Sequence, residues 1–402
     1  MTELYFLDAA LSVTAGPIDD FVSLVWVERY GACGSFSLVL PMRGEISAAA
    51  LSSSYLEVRG RRGLGRVEKI AYTGGSGDGT MTVSGRLAES LLADRIIPRG
   101  TVVSGPICAA LEAVVSANAC EAAGERAIPH LTVREVPAFC DDGGMPLMLE
   151  DHVNGRQLDE WLYEVLGGYG ASYRIEPDYA AGKLVFSLCR GLDRTQAQRE
   201  NSFAVFSASF ASAGAFDFLS DSTDHRNFAF IAGEGEGEAR VMLTLDVRRD
   251  PDEPLRELYV DARDLRSDDG GSKMSAEAYR NLLLSRGRER LQQHAAVLRV
   301  SGSAAAYIEQ EGGAAVPAWG EALAPIGGTF SSSMICGVHY DLGDLCDISD
   351  ESTGMMLSER VTEISYIYEG SCIRAEPRFG TAYPDIRALI GSCVADQTTL
   401  NR

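Results

Sequence analysis

Arg66-Val67-Glu68-Lys69-Ile70-Ala71-Tyr72 returns late in the chain as Arg360-Val361-Thr362-Glu363-Ile364-Ser365-Tyr366, with Arg, Val, Ile and Tyr in the same places. Each copy begins a hairpin, and each is followed by an alternating return strand, Met81 to Arg86 in the first case and Cys372 to Phe379 in the second. In the first hairpin Val67, Ile70 and Tyr72 face Met81 and Val83 across the glycine-rich tip Gly74 to Gly79, where glycine supplies the positive φ angles that tight turns need. Two copies of one β-barrel would leave this echo. Chance recurrence of a short β pattern is the alternative.

Upstream, Phe36, Leu38 and Leu40 alternate with Ser35, Ser37 and Val39, the period of a half-buried strand. Phe21 to Val27 and the turn Tyr30 to Gly34 complete a long hairpin with it. From Ser104 the period becomes helical, with Ile107, Ala110, Leu111, Val114 and Val115 on one stripe after Pro106. A second helix is predicted with Asn154 as cap, Gln157 three positions on, the stripe Leu158, Trp161, Leu162 and Val165, and Gly167-Gly168 as the stop. Strands at Ser172 to Glu176 and Lys183 to Cys189 complete a small α/β unit.

Beyond Gly191 the chain returns to β character, with a strand at Phe203 to Phe210 and a hairpin at Asn227 to Val247 folded about Gly233 to Glu238. A long helix at Ser275 to Leu298 carries the stripe Tyr279, Leu282, Leu283, Leu291 and Leu298. Ser301 to Gly328 reads as a connection, and strands resume from Phe330 to Phe379. The expected architecture is α+β: a first tube-like β-barrel at residues 1–100, a small α/β insert at 101–195, a second barrel at 196–380 carrying a long helix at about 275–298, and a tail at 381–402. A chain of 402 residues exceeds the ~250 at which single cores stop growing, which agrees with several units.

The formal charge of −21 disfavours a grip on nucleic acid through phosphates, which needs clustered Lys and Arg. Met1 to Leu11 has Glu3 and Asp8 and no basic residue, unlike a secretory leader. No run reaches the ~18 apolar residues of a spanning helix, so a soluble protein made in the cytoplasm is expected. The chemistry-bearing patterns are weak. Gly233 to Glu238 alternates glycine with carboxylates that would repel a phosphate. Asp341, Asp344, Asp347 and Asp350 recur every third residue, whereas helix-loop-helix calcium loops alternate every second. Cys336 and His339 would point to opposite faces of a strand, and the five histidines are isolated in sequence. No catalytic, cofactor or metal residue is assigned. A carboxylate pair for glycoside cleavage is a property of the fold and is left open.

Several stretches together resemble the siphophage tail-hub, or baseplate-hub, family related to the N-terminal hub region of tail-associated lysins. They are Thr82-Val83-Ser84-Gly85-Arg86-Leu87-Ala88-Glu89-Ser90-Leu91-Leu92, Arg95-Ile96-Ile97 with the Ser104-led helix, and Gly170 to Ile175. Asn227 through Gly237, Leu258 to Asp264, Tyr340 to Leu345 and Arg360 to Ile364 follow in the same order, so the resemblance extends from about Phe21 to Gly380. It implies a non-enzymatic virion protein of the tail tip, assembled in the host cytoplasm. Three subunits with two barrels each would form a pseudo-sixfold ring that caps the tail tube, with acidic side chains in a lumen through which DNA passes. The implied partners are two further copies of the chain, the tail tube or distal tail protein, the tape-measure protein, and tip or receptor-binding proteins. The short stretch after Gly380 leaves those last tasks to other proteins on this view. A carbohydrate-active enzyme is the rival, distinguished by a cleft with two carboxylates of raised pKa. A surface carbohydrate-binding module is another, needing an exposed aromatic platform.

The nine cysteines are odd in number and never spaced as a metal knuckle. With cytoplasmic assembly expected, all nine should be free thiols. Thiol titration of denatured, unreduced protein is expected to find nine, and a shortfall of two traced to a bridge would contradict that compartment.

Overall fold

The computed structural model describes residues 2–73, 79–98, 100–141, 143–207, 216–248, 250, 252–268, 274–302, 334, 336–350, 354–369 and 372–380. Its centre is a ten-stranded sheet. Eight of these strands are numbered in chain order: β1 (Ser23–Arg29), β2 (Ser35–Pro41), β3 (Lys69–Thr73), β4 (Thr80–Arg86), β5 (Phe216–Asp221), β6 (Val297–Gly302), β7 (Met355–Glu369) and β8 (Cys372–Gly380). They lie side by side in the order β3-β4-β2-β1-β7-β8-β6-β5, every neighbour antiparallel. The two other strands, Val205–Ser207 and Leu345–Asp350, continue from the first part of β7, Leu345–Asp350 pairing with Met355 to Arg360.

Alternation decides which face of the sheet is buried. Leu24 and Trp26 of β1, Phe36, Leu38 and Leu40 of β2, Met81 and Val83 of β4, Ile364, Tyr366 and Tyr368 of β7 and Phe379 of β8 belong to one hydrophobic cluster. Under the first half it is closed by a four-stranded sheet containing Leu4–Leu7 and Tyr55–Val58, and by Ala50 of helix α1 (Gly44–Ser52). Under the second half Phe206, Tyr340, Cys346 and Ile348 close it. At roughly 1.5–3 kcal/mol for each large apolar side chain buried, this shared core is a main source of the sheet's stability.

Two further units flank it. Helices α2 (Ile107–Val115) and α3 (Leu158–Gly168) pack with a three-stranded sheet of Leu131–Val133, Lys183–Arg190 and Ala171–Asp178 in a core around Trp161, Tyr173 and Phe186. This core also takes in Leu7, Tyr55, Leu91 and Leu92 from earlier in the chain. Trp161 Nε1 donates to Asp151 at 2.7 Å, so the buried indole keeps a partner. Helix α4 (Ala276–Gln293) is capped by Ser275, whose Oγ accepts from Ala278 N at 3.1 Å. It lies on a sheet of Phe228–Ala232, Met242–Asp246 and Glu257–Asp261. Gly287 permits that approach, since a Cβ there would meet Ile231 Cδ1 at 2.3 Å.

The chain is mixed α+β and rich in strand, as predicted. Among the described residues the central sheet is open: β3 and β5 each have a neighbour on one side only. The hairpin at Asn227 to Val247 forms, but in the separate sheet under α4. Ser104 lies in the strand Thr101–Pro106 ahead of α2. The cap of α3 is Gln157, not Asn154, because Arg156–Gln157 pairs as a strand with Ile96–Ile97 before the helix starts. Helix α4 stops at Gln293, and position 298 belongs to β6. The strand predicted at Phe203 to Phe210 is seen at Val205–Ser207, with 208–210 outside the described residues. The tip at 74–78, the connection as far as Gly328 beyond position 302, and the tail at 381–402 also lie outside them.

Two outcomes follow from the packing. A Cβ on Gly85 would come within 1.9 Å of the Arg66 carbonyl oxygen, a backbone atom that cannot swing away. Gly85→Ala is expected to destabilise by roughly 2–3 kcal/mol in chemical denaturation, while Ser84→Ala beside it has little effect. Glu89 is half-buried with its Oε2 enclosed, and desolvation raises its carboxyl to about 7. Its Oε1 accepts from Ile175 N at 3.3 Å, and Oε2 has no partner among the described residues. Because the folded value exceeds the unfolded ~4.3, the fold favours the protonated acid. That stabilisation is complete below the unfolded value and is lost as pH rises through about 7. Glu89→Gln should therefore gain on the natural protein between pH 5 and pH 8 by roughly 3 kcal/mol, read from denaturation midpoints across that range.

Candidate assembly interface

The two halves of the central sheet meet where β1 pairs with β7. Glu363 lies opposite Arg29, Ser365 opposite Val27, Tyr366 opposite Trp26 and Glu369 opposite Ser23. Arg29 Nε donates to Glu363 at 2.7 Å, and Arg378 of β8 reaches the same carboxylate at 3.0 Å. On the buried side Arg61 lies 3.9 Å from the centre of the Tyr366 ring and donates to the Tyr368 hydroxyl at 2.6 Å. Burial raises the Glu28 carboxyl, with Arg61, Arg174 and Arg62 pulling it back. Tyr30, in the turn after β1, donates through its hydroxyl to Gly170 O at 3.0 Å and accepts from Gly191 N at 3.1 Å. One turn thus pins the sheet to the α2–α3 unit.

The sheet order repeats. Its first four places, β3-β4-β2-β1, recur as β7-β8-β6-β5 in the same direction, which makes β3 equivalent to β7 and β1 to β5. The two echoed segments therefore fall on equivalent strands. Their surroundings differ: Tyr366 of β7 is 4% exposed, while Tyr72 of β3 is 70% exposed, and among the described residues β3 has no neighbour on its outer side. At the opposite edge Leu219 of β5 is also exposed. An edge strand presents unpaired N–H and C=O groups, and an aromatic side chain left there marks a place where another chain can add.

The face of the sheet away from the core is half-exposed and carries Ser23, Ser35, Ser37, Thr82, Ser84 and Ser365 among valines. Its carboxylates include Glu363, Glu369 and Glu376, set among Arg29, Arg86 and Arg378, and Arg86 also pairs with Glu68 at 2.6 Å.

The remaining sequence candidates resolve into local structure. Tyr279 accepts from Glu234 N at 2.8 Å and donates to Leu265 O at 3.1 Å, fastening the Gly233 to Glu238 turn to α4. Asp344 and Asp347 are buried. Asp344 accepts from Leu192 N at 2.7 Å and Arg194 Nε at 2.5 Å, and Asp347 from Gln196 N at 2.8 Å and Ser358 Oγ at 2.6 Å. These aspartates anchor the segment after Gly191. Cys336 and His339 lie in a turn, not a strand, and the Cys336 sulfur accepts from the Tyr366 hydroxyl at 3.1 Å. Among the described residues no group of three or more His, Cys, Asp and Glu is arranged for a metal, and no helix is long and apolar enough to cross a membrane.

One carboxylate pair lies in a cavity of about 340 Å³ between α3 and α4. Glu164 and Glu289 hydrogen-bond to each other. Desolvation first and then Glu164 raise Glu289 to about 8, while the Glu289 and Arg156 hydrogen bonds lower Glu164 against its own desolvation. That direct interaction leaves no room for a substrate between the two carboxyls, unlike the ~5–9.5 Å separation in a glycosidase. The pair ties α3 to α4, helped by Gln293 Nε2 donating to Glu164 at 2.8 Å. Sequence alone gave no sign of Glu28, Glu89 or this pair, since nothing in a single sequence separates a buried carboxylate from the many at the surface.

The fold resembles that of a tail protein from Neisseria meningitidis MC58, with a TM-score of 0.53 at 12% identity over 94% of this chain and 96% of that one. It also resembles the 43 kDa tail protein of prophage MuSo2 from Shewanella oneidensis, with a TM-score of 0.50 at 13% identity over 94% and 97%. No curated protein matches the sequence. Residues 3–381 match the family described as Siphovirus ReqiPepy6 Gp37-like protein, and the chain belongs to that family of siphovirus tail proteins.

Proposed function

We propose that this chain is a non-enzymatic hub subunit of the tail tip. Three copies form a ring in which six similar four-stranded units surround a channel, matching the sixfold symmetry of a tail tube. The observation that carries this reading is the repeated sheet order, because a subunit whose strands come as 3-4-2-1 then 7-8-6-5 offers two like units per chain. Three such chains make six. The likeness in fold to two tail proteins, one of them from a prophage, supports it.

On this reading the units are a first tube domain at residues 1–100, an insert at 101–195 outside the ring, and a second tube domain at 196–380. Strands of the two tube domains join through β1 and β7. The hydroxyl-rich face turns to the channel, where neutral side chains and paired charges offer passing DNA no run of cations to bind. The ring caps the tail tube or distal tail protein, receives the tape-measure protein and carries tip or receptor-binding proteins. The virion tail tip is its place, after assembly in the host cytoplasm.

Electron microscopy of assembled tips is expected to show a threefold ring with six similar densities around the channel. Sedimentation of the purified chain should give three times 43.2 kDa at high concentration. A monomeric particle beside the tube, with no ring contacts, would sink the assignment.

A further inference from the structure

The hub reading leaves open how neighbouring subunits join, and the chain contains a template for that joint. If β3 is equivalent to β7 and β1 to β5, then the β1–β7 pairing within one subunit has a counterpart between β5 of one subunit and β3 of the next. The register follows from the ladders. Lys69 of β3 lies opposite Ser84, as Glu363 of β7 lies opposite Arg378. Ser37 lies opposite Ser84, as Ser301 lies opposite Arg378. Val25 lies opposite Ser37, as Asp217 lies opposite Ser301. Carried along the strands, these equivalences match Lys69 to Glu363 and Asp221 to Arg29.

We infer that the subunits join by antiparallel addition of β3 to β5 of a second copy, with Lys69 paired to Asp221. This rests on the hub reading. The ion pair takes the place held inside the chain by Glu363 and Arg29, 2.7 Å apart, but with its polarity reversed. That reversal separates the two kinds of joint. Pairing β3 with β1 would oppose Lys69 to Arg29, and pairing β7 with β5 would oppose Glu363 to Asp221. Like charges directly across a ladder are destabilising, so each wrong combination is rejected while each right one is favoured. Among the described residues Lys69 is exposed and has no ion-pair partner. Asp221 is half-exposed and accepts from Thr223 N at 2.9 Å, which leaves a carboxylate capacity to accept more. The same register covers Tyr72, the exposed counterpart of buried Tyr366.

The test uses the full chain. Isotopically light and heavy protein are mixed, allowed to assemble and treated with a carbodiimide, which joins amine to carboxylate with no spacer. The expected product is a Lys69–Asp221 peptide containing one light and one heavy half. Lys69→Glu and Asp221→Lys should each weaken trimer formation about tenfold or more, because three joints share the loss, and the double variant should recover most of it. Lys69→Arg serves as a conservative control that assembles. A ring that forms normally in every charge variant, without the linked peptide, overturns the joint and leaves the hub reading standing. A chain that stays single at all concentrations and within assembled tips overturns the hub reading, and the joint with it.

Discussion

The pairing of β1 with β7 is the constraint on which the rest of the fold depends. It joins residues 23–29 to residues 363–369 and makes one sheet from the two ends of the sequence. Trp26 and Tyr366 face each other there, so the core beneath the first half runs without a break into the core beneath the second. The same stretch holds charge on both faces, Arg29 with Glu363 outside and Glu28 near Arg61 within. A buried carboxylate left without its arginines is far costlier than an exposed one. The seam must therefore close with its register intact.

Much of this sheet was legible in the sequence. The alternation from Ser35 to Leu40 and the echo of Arg66 in Arg360 record a period of two and a repeated element, and both follow from side chains near in sequence. Partners distant in sequence were not legible. Asn154 with Gln157 satisfies every local rule for a helix start, yet residues 156–157 are claimed by Ile96–Ile97, a neighbour that only the fold supplies. The hairpin at Asn227 to Val247 was readable as a hairpin, but periodicity does not say which sheet it joins, and α4 gives it a core of its own. The interface was half legible: the echo marks equivalent strands, while the free edge beside Tyr72 becomes apparent only once the strand order is known.

The aspartates at 341, 344 and 347 show how a pattern can be real and its obvious chemistry wrong. Their every-third spacing does not fit a calcium loop, and two of them face backbone amides of the segment after Gly191, where they act as anchors. Glu164 and Glu289 are similar: a coupled acid pair in a cavity serves to fasten one helix to another. At the aspartates, acidic side chains supply acceptors to backbone amides of an irregular segment that has no ladder of its own.

The long span between β1 and β7 also has a consequence for synthesis. When the first hairpin leaves the ribosome, its inner edge has no partner until residue 369 has been made. Contacts so far apart in sequence form late and slowly, and during that interval the edge is open to the β7 of any other copy emerging nearby. Such an exchange would satisfy every ladder bond while tying two chains into one another. Yield of correctly assembled protein should thus depend on how densely ribosomes are loaded on its message, a sensitivity that the finished particle no longer displays.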